Sequence, residues 1–278
     1  MINSILINFN HRLSQAIEQH QSLLCVGLDP DIKRIPPQIS RQAEPLFVFN
    51  KHIIDATADY VCAFKPQIAY YAALGAERQL IKTIAYIREH YPAIPVILDA
   101  KRGDIGATAQ HYAEEAFTVY QADAVTLNPY MGYDAIEPFL KRQDKGIILL
   151  CRTSNPGAAA IQDIQLADGR KLYEHIAELA ANQWNDNCNI ALVVGATCRE
   201  QMAAIRKIAG EMTFLVPGIG TQGGSVDQVL SVGLNQYNRG IILNASRSII
   251  YHDAKPERFA EAARAEAKRI QALTREYL

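Results

Sequence analysis

The chain has 278 residues, and its 28 lysines and arginines against 29 aspartates and glutamates give a formal net charge of −1. Hydrophobic residues make up 49% and charged residues 21%, a composition that can bury a full core and excludes a disordered chain. The near-zero charge gives neither the basic field that nucleic acid attracts nor a polybasic membrane patch, so we expect neither partner.

The N-terminal segment does not resemble a secretory signal, because its apolar stretch covers only residues 5–7 and has asparagines on both sides. No apolar run approaches the roughly 18 residues of a membrane span. The 5 cysteines lack CxxC spacing, and three lie in apolar strand-like runs, which is typical of buried reduced thiols. These features predict a cytoplasmic protein.

Short apolar runs rich in β-branched residues recur along the whole chain, and helical patterns alternate with them. The predicted strands are residues 23–27, 60–64, 95–98, 124–127, 146–151, 190–195, 213–216 and 240–243. The predicted helices include residues 46–59, 107–120, 171–184, 199–209 and 226–237, with outer helices at 5–20 and 256–278. The strand runs are nearly continuous in apolar character, as in parallel strands covered by helices.

Eight strand-then-helix units predict an α/β fold, a single-domain (β/α)8 TIM barrel over residues 1–278 with extra N- and C-terminal helices. A doubly wound sheet would place a GxGxxG turn after its first strand, where this chain has Gly27-Leu28-Asp29-Pro30. The long segment 155–169 after the fifth strand is predicted to be a lid or a binding loop.

Charged residues of alternating sign follow the first three predicted strands. They are Asp29, Lys65, Asp99, Lys101 and Asp104. In a barrel the carboxyl ends of the strands carry the chemistry, and the strand period of two puts Asp99 and Lys101 on one face. We expect each charge to have an opposite neighbour, and the array to hold an ammonium as a proton donor beside carboxylates.

The last two predicted strands end in residues suited to an anion. Strand seven leads into PGIGTQGG, residues 217–224, and strand eight into Asn244-Ala245-Ser246-Arg247. Glycines let backbone N–H groups approach a phosphate, and Arg247 adds a bidentate donor. Residues 153–157, TSNPG, are a weaker signal for hydrogen bonding to a ligand. No HExxH, GxSxG or metal-ligand spacing is present, so we expect no metal site.

Residues 97–105, ILDAKRGDI, resemble the DxKxxDI signature of the orotidine 5′-phosphate decarboxylase family. The segments CVGLDPD, FKPQIAYY, TLNPYMG, TSNPGA, PGIGTQGG and NASRSI resemble its longer bacterial branch. The resemblance implies decarboxylation of orotidine 5′-monophosphate to UMP, without metal or cofactor. Gly106-Ala107 stands where the commoner branch has Pro-Asn, and the loop after strand five is longer.

The resemblance also implies roles for the residues of the first three strands. Lys101 would deliver a proton to C6 of the pyrimidine as carbon dioxide leaves. Asp99 would lie beside the substrate carboxylate, acting either by ground-state repulsion or by organising Lys101. Lys65 would pair with the carboxylates and contact the ribose, and Asp29 would bind a ribose hydroxyl.

Further implied roles concern a second subunit and the two ends of the nucleotide. Asp104, Ile105 and Thr108 would reach into the partner's site in a homodimer with shared active sites. Ser154 would hold the pyrimidine edge. The residues implied around the phosphate are Gly218, Gly220, Gln222 and Arg247.

Two alternatives remain open at this point. A Mg²⁺-dependent sugar-phosphate decarboxylase or aldolase shares the DxKxxD strand, although Lys65 would compete with a divalent cation. A non-catalytic nucleotide-binding barrel would be stabilised by UMP without releasing carbon dioxide. Activity on orotidine 5′-monophosphate in excess EDTA distinguishes all three.

Overall fold

The computed structural model describes residues 8–220, 224–253 and 258–278. In these ranges the strands are β1 (Leu24–Leu28), β2 (Ala63–Pro66), β3 (Ile97–Arg102), β4 (Ala124–Leu127), β5 (Gly146–Arg152), β6 (Ile190–Val194), β7 (Phe214–Pro217) and β8 (Ile241–Ala245). Their order in one parallel sheet is β2-β1-β8-β7-β6-β5-β4-β3. Every residue of β1, β2, β4, β6 and β8 is buried, which explains their continuous apolar sequences.

Helices follow the strands and form the outer layer. They are α1 (Phe9–His20), α2 (Pro37–Ser40), α3 (Pro45–Thr57), α4 (Ala69–Ala72), α5 (Glu77–His90), α6 (Gly106–Glu114), α7 (Tyr133–Leu140), α8 (Ala159–Gln162), α9 (Leu172–Asn182), α10 (Arg199–Ala209), α11 (Val226–Gly233), α12 (Arg247–Ile250) and α13 (Phe259–Arg275). Short 3₁₀ turns occupy Ala58–Tyr60, Pro129–Met131 and Pro156–Ala158, and a π-helical turn occupies Glu115–Val119.

The barrel closes between β2 and β3, the two ends of the sheet order. Pairing there consists of two isolated bridges, Phe64 with Val96 and Gln67 with Asp99, instead of a continuous ladder. The backbone N–H of Ile68 also donates to the Asp99 carbonyl at 3.2 Å. We call this the β2–β3 seam, and it lies at the site described below.

Helix α1 packs against the amino-terminal ends of the strands. The Phe9 ring lies where a side chain on Gly146 would lie, so only glycine fits at the start of β5. Arg12 donates to the buried carboxylate of Asp123 at 2.6 Å, just before β4. This end of the barrel is filled, and the opposite, carboxyl ends of the strands are left for chemistry.

The structure confirms the predicted (β/α)8 barrel with helices added at both termini. Predicted strand 124–127 and predicted helix 199–209 coincide with β4 and α10, whereas the other strand bounds differ by up to four residues. Residues 60–62 are not strand, because the 3₁₀ turn that continues α3 ends at Tyr60 and β2 begins only at Ala63. Among the described helices, none combines the length and apolar character that a membrane span requires.

Among the predicted helices, 226–237 and 107–120 differ most from the structure at their C-terminal ends. Helix α11 ends at Gly233 rather than at residue 237, because the Asn235 side chain accepts from the backbone N–H groups of Tyr237 and Arg239 and forms a turn. The predicted helix 107–120 changes from α to π geometry at Glu115. All five cysteines are free, four are buried, and burial raises the pKa of Cys25 to about 12.

Candidate active site

Three charged side chains meet at the carboxyl ends of β2 and β3. Asp99 Oδ2 lies 2.8 Å from Lys65 Nζ, and Asp99 Oδ1 lies 2.5 Å from Lys101 Nζ. The Lys65 and Asp99 side chains are 4% and 11% exposed, whereas the Lys101 side chain is 46% exposed. The buried Lys65–Asp99 pair therefore supports an ammonium, that of Lys101, which is accessible to a ligand.

The ionisation of this group is set by competition between burial and charge. Burial alone would raise the pKa of Asp99, but Lys65 and Lys101 outweigh it and hold that pKa well below its ordinary value. Burial alone would lower the pKa of Lys65, but the Asp99 and Asp29 carboxylates outweigh it and raise that pKa. Asp99 is thus a carboxylate and Lys65 an ammonium at neutral pH.

Strand β3 bulges at the site. From Leu98 to Arg102 the strand advances four positions, while its pairing on β4 advances only two, so three residues of β3 lie opposite Thr126 alone. Within this bulge the Lys101 backbone has φ +46°, a left-handed conformation that is uncommon for a residue with a side chain. The bulge directs the Lys101 and Asp99 side chains toward each other.

Thr126 is a site residue that the sequence motifs did not reveal. Its hydroxyl donates to Asp99 Oδ1 at 2.9 Å and accepts from the backbone N–H groups of Ala100 and Lys101 at 3.1 and 3.0 Å. The side chain is 1% exposed. The available signal was a hydroxyl within the apolar strand 124–127.

Asp29 and Asp104 make no ion pair with the other described residues, so the expected opposite neighbour of Asp29 is Lys65 at longer range, and none contacts Asp104. Asp29 Oδ1 is buried and has no hydrogen-bond partner among the described residues, although its charge acts on Lys65 from a distance. Asp104 is half-buried beyond the end of β3, where its carboxylate accepts the backbone N–H of Ile105 at 2.8 Å. Both carboxylates retain acceptor capacity for a ligand or a second chain.

The residues after Asp104 face away from the barrel interior. Ile105 is 49% exposed, and Thr108, in the first turn of α6, is also exposed. Tyr130 and Met131, in the turn after β4, are 80% and 46% exposed. Large apolar side chains are therefore accessible on this rim of the barrel.

The carboxyl ends of β7 and β8 supply the residues predicted to hold an anion. Gly218 and Gly220 have φ of +105° and +83°, and a Cβ on Gly220 would lie 2.8 Å from Ser248 Oγ. Arg247 is exposed, and its side chain makes no hydrogen bond or ion pair with other described residues, although its backbone carbonyl accepts the Tyr251 N–H at 3.3 Å. Its guanidinium is free to bind an anionic group. Gln222 lies outside the described residues.

Ser154 follows β5 and is half-buried. A Cβ on Gly195, which follows β6, would lie 2.8 Å from the Ser154 backbone nitrogen. Only glycine allows the two strand ends to approach so closely. Ser154 is therefore fixed against the end of the neighbouring strand, at the same end of the barrel as the ion pairs.

The middle of segment 155–169 is anchored to the end of β5. Arg152, 7% exposed, donates from Nε and Nη2 to the two oxygens of Asp163 at 2.9 and 3.1 Å. The Gln162 side chain accepts the backbone N–H of Thr153 at 2.8 Å. These contacts flank Ser154 and join it to the segment that was predicted to be a lid or a binding loop.

The described residues contain no group of three or more His, Cys, Asp or Glu side chains that could hold a metal ion. At the centre of the site, Asp99 already accepts from two ammonium groups and one hydroxyl. Chemically, the arrangement offers a half-exposed ammonium at Lys101, an exposed guanidinium at Arg247, and a buried carboxylate oxygen, Asp29 Oδ1, that lacks a partner among the described residues.

Comparison with known proteins gives consistent matches over almost the whole chain. The profile of the family described as orotidine 5′-phosphate decarboxylase / HUMPS matches residues 22–263. The orotidine 5′-phosphate decarboxylase of Cellvibrio japonicus is 54% identical over 263 residues, which cover 94% of this chain and 96% of that protein.

Two solved structures from Leishmania donovani are also similar. Its OMP decarboxylase has a TM-score of 0.80 and 38% identity, over 95% of this chain and 99% of that one. Its UMP synthase has a TM-score of 0.82 and 40% identity, over 95% of this chain but only 57% of that longer chain.

Proposed function

The chain belongs to the orotidine 5′-phosphate decarboxylase family, and we propose how its residues perform the family's reaction. It is a carboxy-lyase that converts orotidine 5′-monophosphate to UMP and carbon dioxide in pyrimidine nucleotide synthesis. The observation that carries the proposed mechanism is the Lys101 ammonium, bound to Asp99 at 2.5 Å yet 46% exposed.

Lys101 is the proton donor in this mechanism. When the bond from C6 to the carboxylate breaks, its electron pair stays on a ring carbon that cannot delocalise it. The ammonium stabilises that developing charge and then transfers a proton to C6, so that UMP forms and Lys101 is left neutral until solvent reprotonates it. General acid catalysis contributes about 10²–10⁴-fold, so other interactions must lower the barrier as well.

Asp99 and Lys65 organise this donor. Both Asp99 oxygens are bound by ammonium groups, which favours an orienting role for Asp99 over repulsion of the substrate carboxylate. Lys65 keeps Asp99 ionised, and in this mechanism it also contacts the ribose together with Asp29. The unpartnered Asp29 Oδ1 is an acceptor that a ribose hydroxyl would satisfy.

The rest of the nucleotide binds around the barrel mouth. Ser154 holds the pyrimidine edge, and the phosphate lies against Arg247 and the loop residues Gly218, Gly220 and Gln222. Binding energy from a phosphate remote from C6 can be used to align the charges at the reacting carbon. In this proposal segment 155–169 closes over the ring, and the bonds between Arg152 and Asp163 that anchor it beside Ser154 support that role.

We further propose that residues 1–278 act as one domain in a cytoplasmic homodimer with shared active sites. Asp104, Ile105 and Thr108 would complete the partner's site. The exposure of Ile105, Tyr130 and Met131 supports this, because apolar side chains on one rim are the usual core of an interface.

The direct test follows the loss of pyrimidine absorbance when the purified chain is mixed with orotidine 5′-monophosphate, with and without excess EDTA. We expect equal turnover in both arms. Turnover that EDTA abolishes would favour the Mg²⁺-dependent alternative, and ligand-induced stabilisation by UMP without turnover would favour the non-catalytic barrel. The Lys65–Asp99 pair argues against the metal, because a fixed cation occupies that carboxylate.

A further inference from the structure

Thr126 occupies the place where the ladder between β3 and β4 fails. In a regular parallel ladder the N–H groups of residues 100 and 101 would have carbonyl acceptors on a neighbouring strand. In the bulge both donate instead to the Thr126 hydroxyl, at 3.1 and 3.0 Å. One side-chain oxygen therefore replaces two ladder acceptors.

The same hydroxyl also holds the carboxylate. A threonine hydroxyl has one proton and two lone pairs, and the two backbone N–H groups use both lone pairs. Its single proton is therefore directed to Asp99 Oδ1, 2.9 Å away. All three hydrogen-bonding capacities are used, and the side chain is 1% exposed, so water does not compete for them.

These contacts determine where the Lys101 ammonium lies. The left-handed backbone of Lys101, φ +46°, is held by its N–H bond to Thr126, and the ammonium is held by Asp99 Oδ1 at 2.5 Å, the oxygen that Thr126 also binds. From this geometry we infer that Thr126 is a positioning residue for the decarboxylation, which acts through Lys101 and Asp99 without touching substrate. The inference rests on the proposed role of Lys101.

Removal of the hydroxyl has a specific expected effect on kinetics. In Thr126→Val the side chain keeps its shape, but the two N–H groups lose their acceptor and the carboxylate loses a donor. A displacement of about 1 Å at a reacting group can reduce turnover about 100-fold. We expect kcat for orotidine 5′-monophosphate to fall about 100-fold and the UMP dissociation constant to change less than about 3-fold, because the phosphate site lies across the mouth.

Two further variants separate positioning from folding. Thr126→Ser keeps the hydroxyl, and we expect kcat within about 5-fold of the unmodified chain, even where its melting temperature is lower. Thr57→Val removes an equally buried hydroxyl from α3, where it donates only to the Ile53 carbonyl at 2.8 Å. We expect that control to lower stability and leave kcat unchanged.

The experiment measures kcat, KM, UMP affinity and thermal unfolding for all four proteins. An unchanged kcat in folded Thr126→Val would overturn the inference. If Thr126→Val does not fold, the test relies on Thr126→Ser, which keeps the hydroxyl. A loss of kcat of about 100-fold in folded Thr126→Ser would then overturn the inference. Absence of turnover by the unmodified chain would overturn the proposed function, a result distinct from both.

Discussion

Lys101 Nζ lies 2.5 Å from Asp99 Oδ1, although only one residue separates the two along the chain. In a straight strand, side chains two positions apart stand side by side on one face and do not converge. The left-handed backbone at Lys101 turns its side chain back toward the carboxylate. The bulge in β3 therefore brings a proton donor and its counter-ion together on one strand end.

The first prediction concerns the donor itself. Lys101→Ala should reduce turnover of orotidine 5′-monophosphate by at least about 10³-fold, because it removes both the proton and a cation at the reacting carbon. Its fold should persist, since the Lys101 side chain is 46% exposed. Turnover and circular dichroism are measured in parallel for the control Lys141→Ala, which changes a 67% exposed lysine directly after α7. Near-normal turnover by Lys101→Ala would refute the donor role.

The second prediction concerns the anion site. Arg247→Ala should lower kcat/KM for orotidine 5′-monophosphate by about 10–100-fold, since a charge-assisted hydrogen bond contributes about 1.5–3 kcal/mol. For orotidine, which lacks the phosphate, we expect a change of less than about 3-fold. Equal losses on both substrates would remove Arg247 from the phosphate site. Arg258→Ala, an exposed arginine before α13, is the matched control.

The third prediction concerns stability against pH. The folded-state pKa of Asp99 is depressed, so its ionisation stabilises the fold above the unfolded value of 3.8, and this stabilisation is lost as pH falls toward the folded value. Asp99→Asn removes the only carboxylate that forms an ion pair with the buried Lys65 among the described residues and should lower the free energy of unfolding by about 3–5 kcal/mol at pH 7. Urea unfolding should show that the difference in free energy of unfolding between the unmodified chain and Asp99→Asn is about 1 kcal/mol smaller at pH 3 than at pH 7. A larger difference in free energy of unfolding at pH 3 than at pH 7 would contradict the lowered pKa of Asp99.

The fourth prediction concerns the segment after β5. Asp163→Ala leaves the buried Arg152 guanidinium without its bidentate partner and should loosen the chain beside Ser154. We expect KM for orotidine 5′-monophosphate to rise about 10-fold, in line with the loss of a buried charged contact. Asp168→Ala, which breaks only an exposed contact to Arg170 farther along the same segment, should leave KM unchanged. Equal KM values in the two variants would show that the anchor at Asp163 does not contribute to substrate binding.

The fifth prediction concerns shared sites. Lys101→Ala and Asp104→Ala should each be inactive alone, yet a mixture refolded together should recover about one quarter of normal activity per chain, since half the dimers are mixed and each mixed dimer has one intact site. Light scattering should give the mass of a dimer. No recovery from a mixture that does form dimers would show that Asp104 acts within its own chain.

The sequence was sufficient to predict the barrel because each strand is a continuous apolar run, and such runs are visible without any knowledge of contacts. Asp99, Lys101 and Arg247 could be singled out for the same reason, because a charge within a few residues of the end of an apolar run stands out. Arg247 lies two residues beyond β8, so its place at the barrel mouth follows from the strand assignment.

Other features depend on contacts that no local pattern encodes. Thr126 is an ordinary strand residue in sequence, and its importance comes from the bulge in the strand beside it. Arg152 and Asp163 form a pair only because segment 155–169 folds back on β5. Asp29 and Asp104 form no ion pair with other described residues, because alternation of charge along the chain does not fix distances across strand ends.

Asp99 also stabilises the β2–β3 seam. Its backbone carbonyl accepts the Ile68 N–H and its carboxylate binds Lys65, so Asp99 joins β2 to β3 where the ladder is interrupted. The same residue orients the proton donor. Cells degrade chains that open too often, and a loss of one or two kcal/mol already changes abundance several-fold. A substitution at Asp99 would therefore lower the amount of the protein in the cell as well as its activity. A measurement of protein abundance would reveal such a substitution without an enzyme assay.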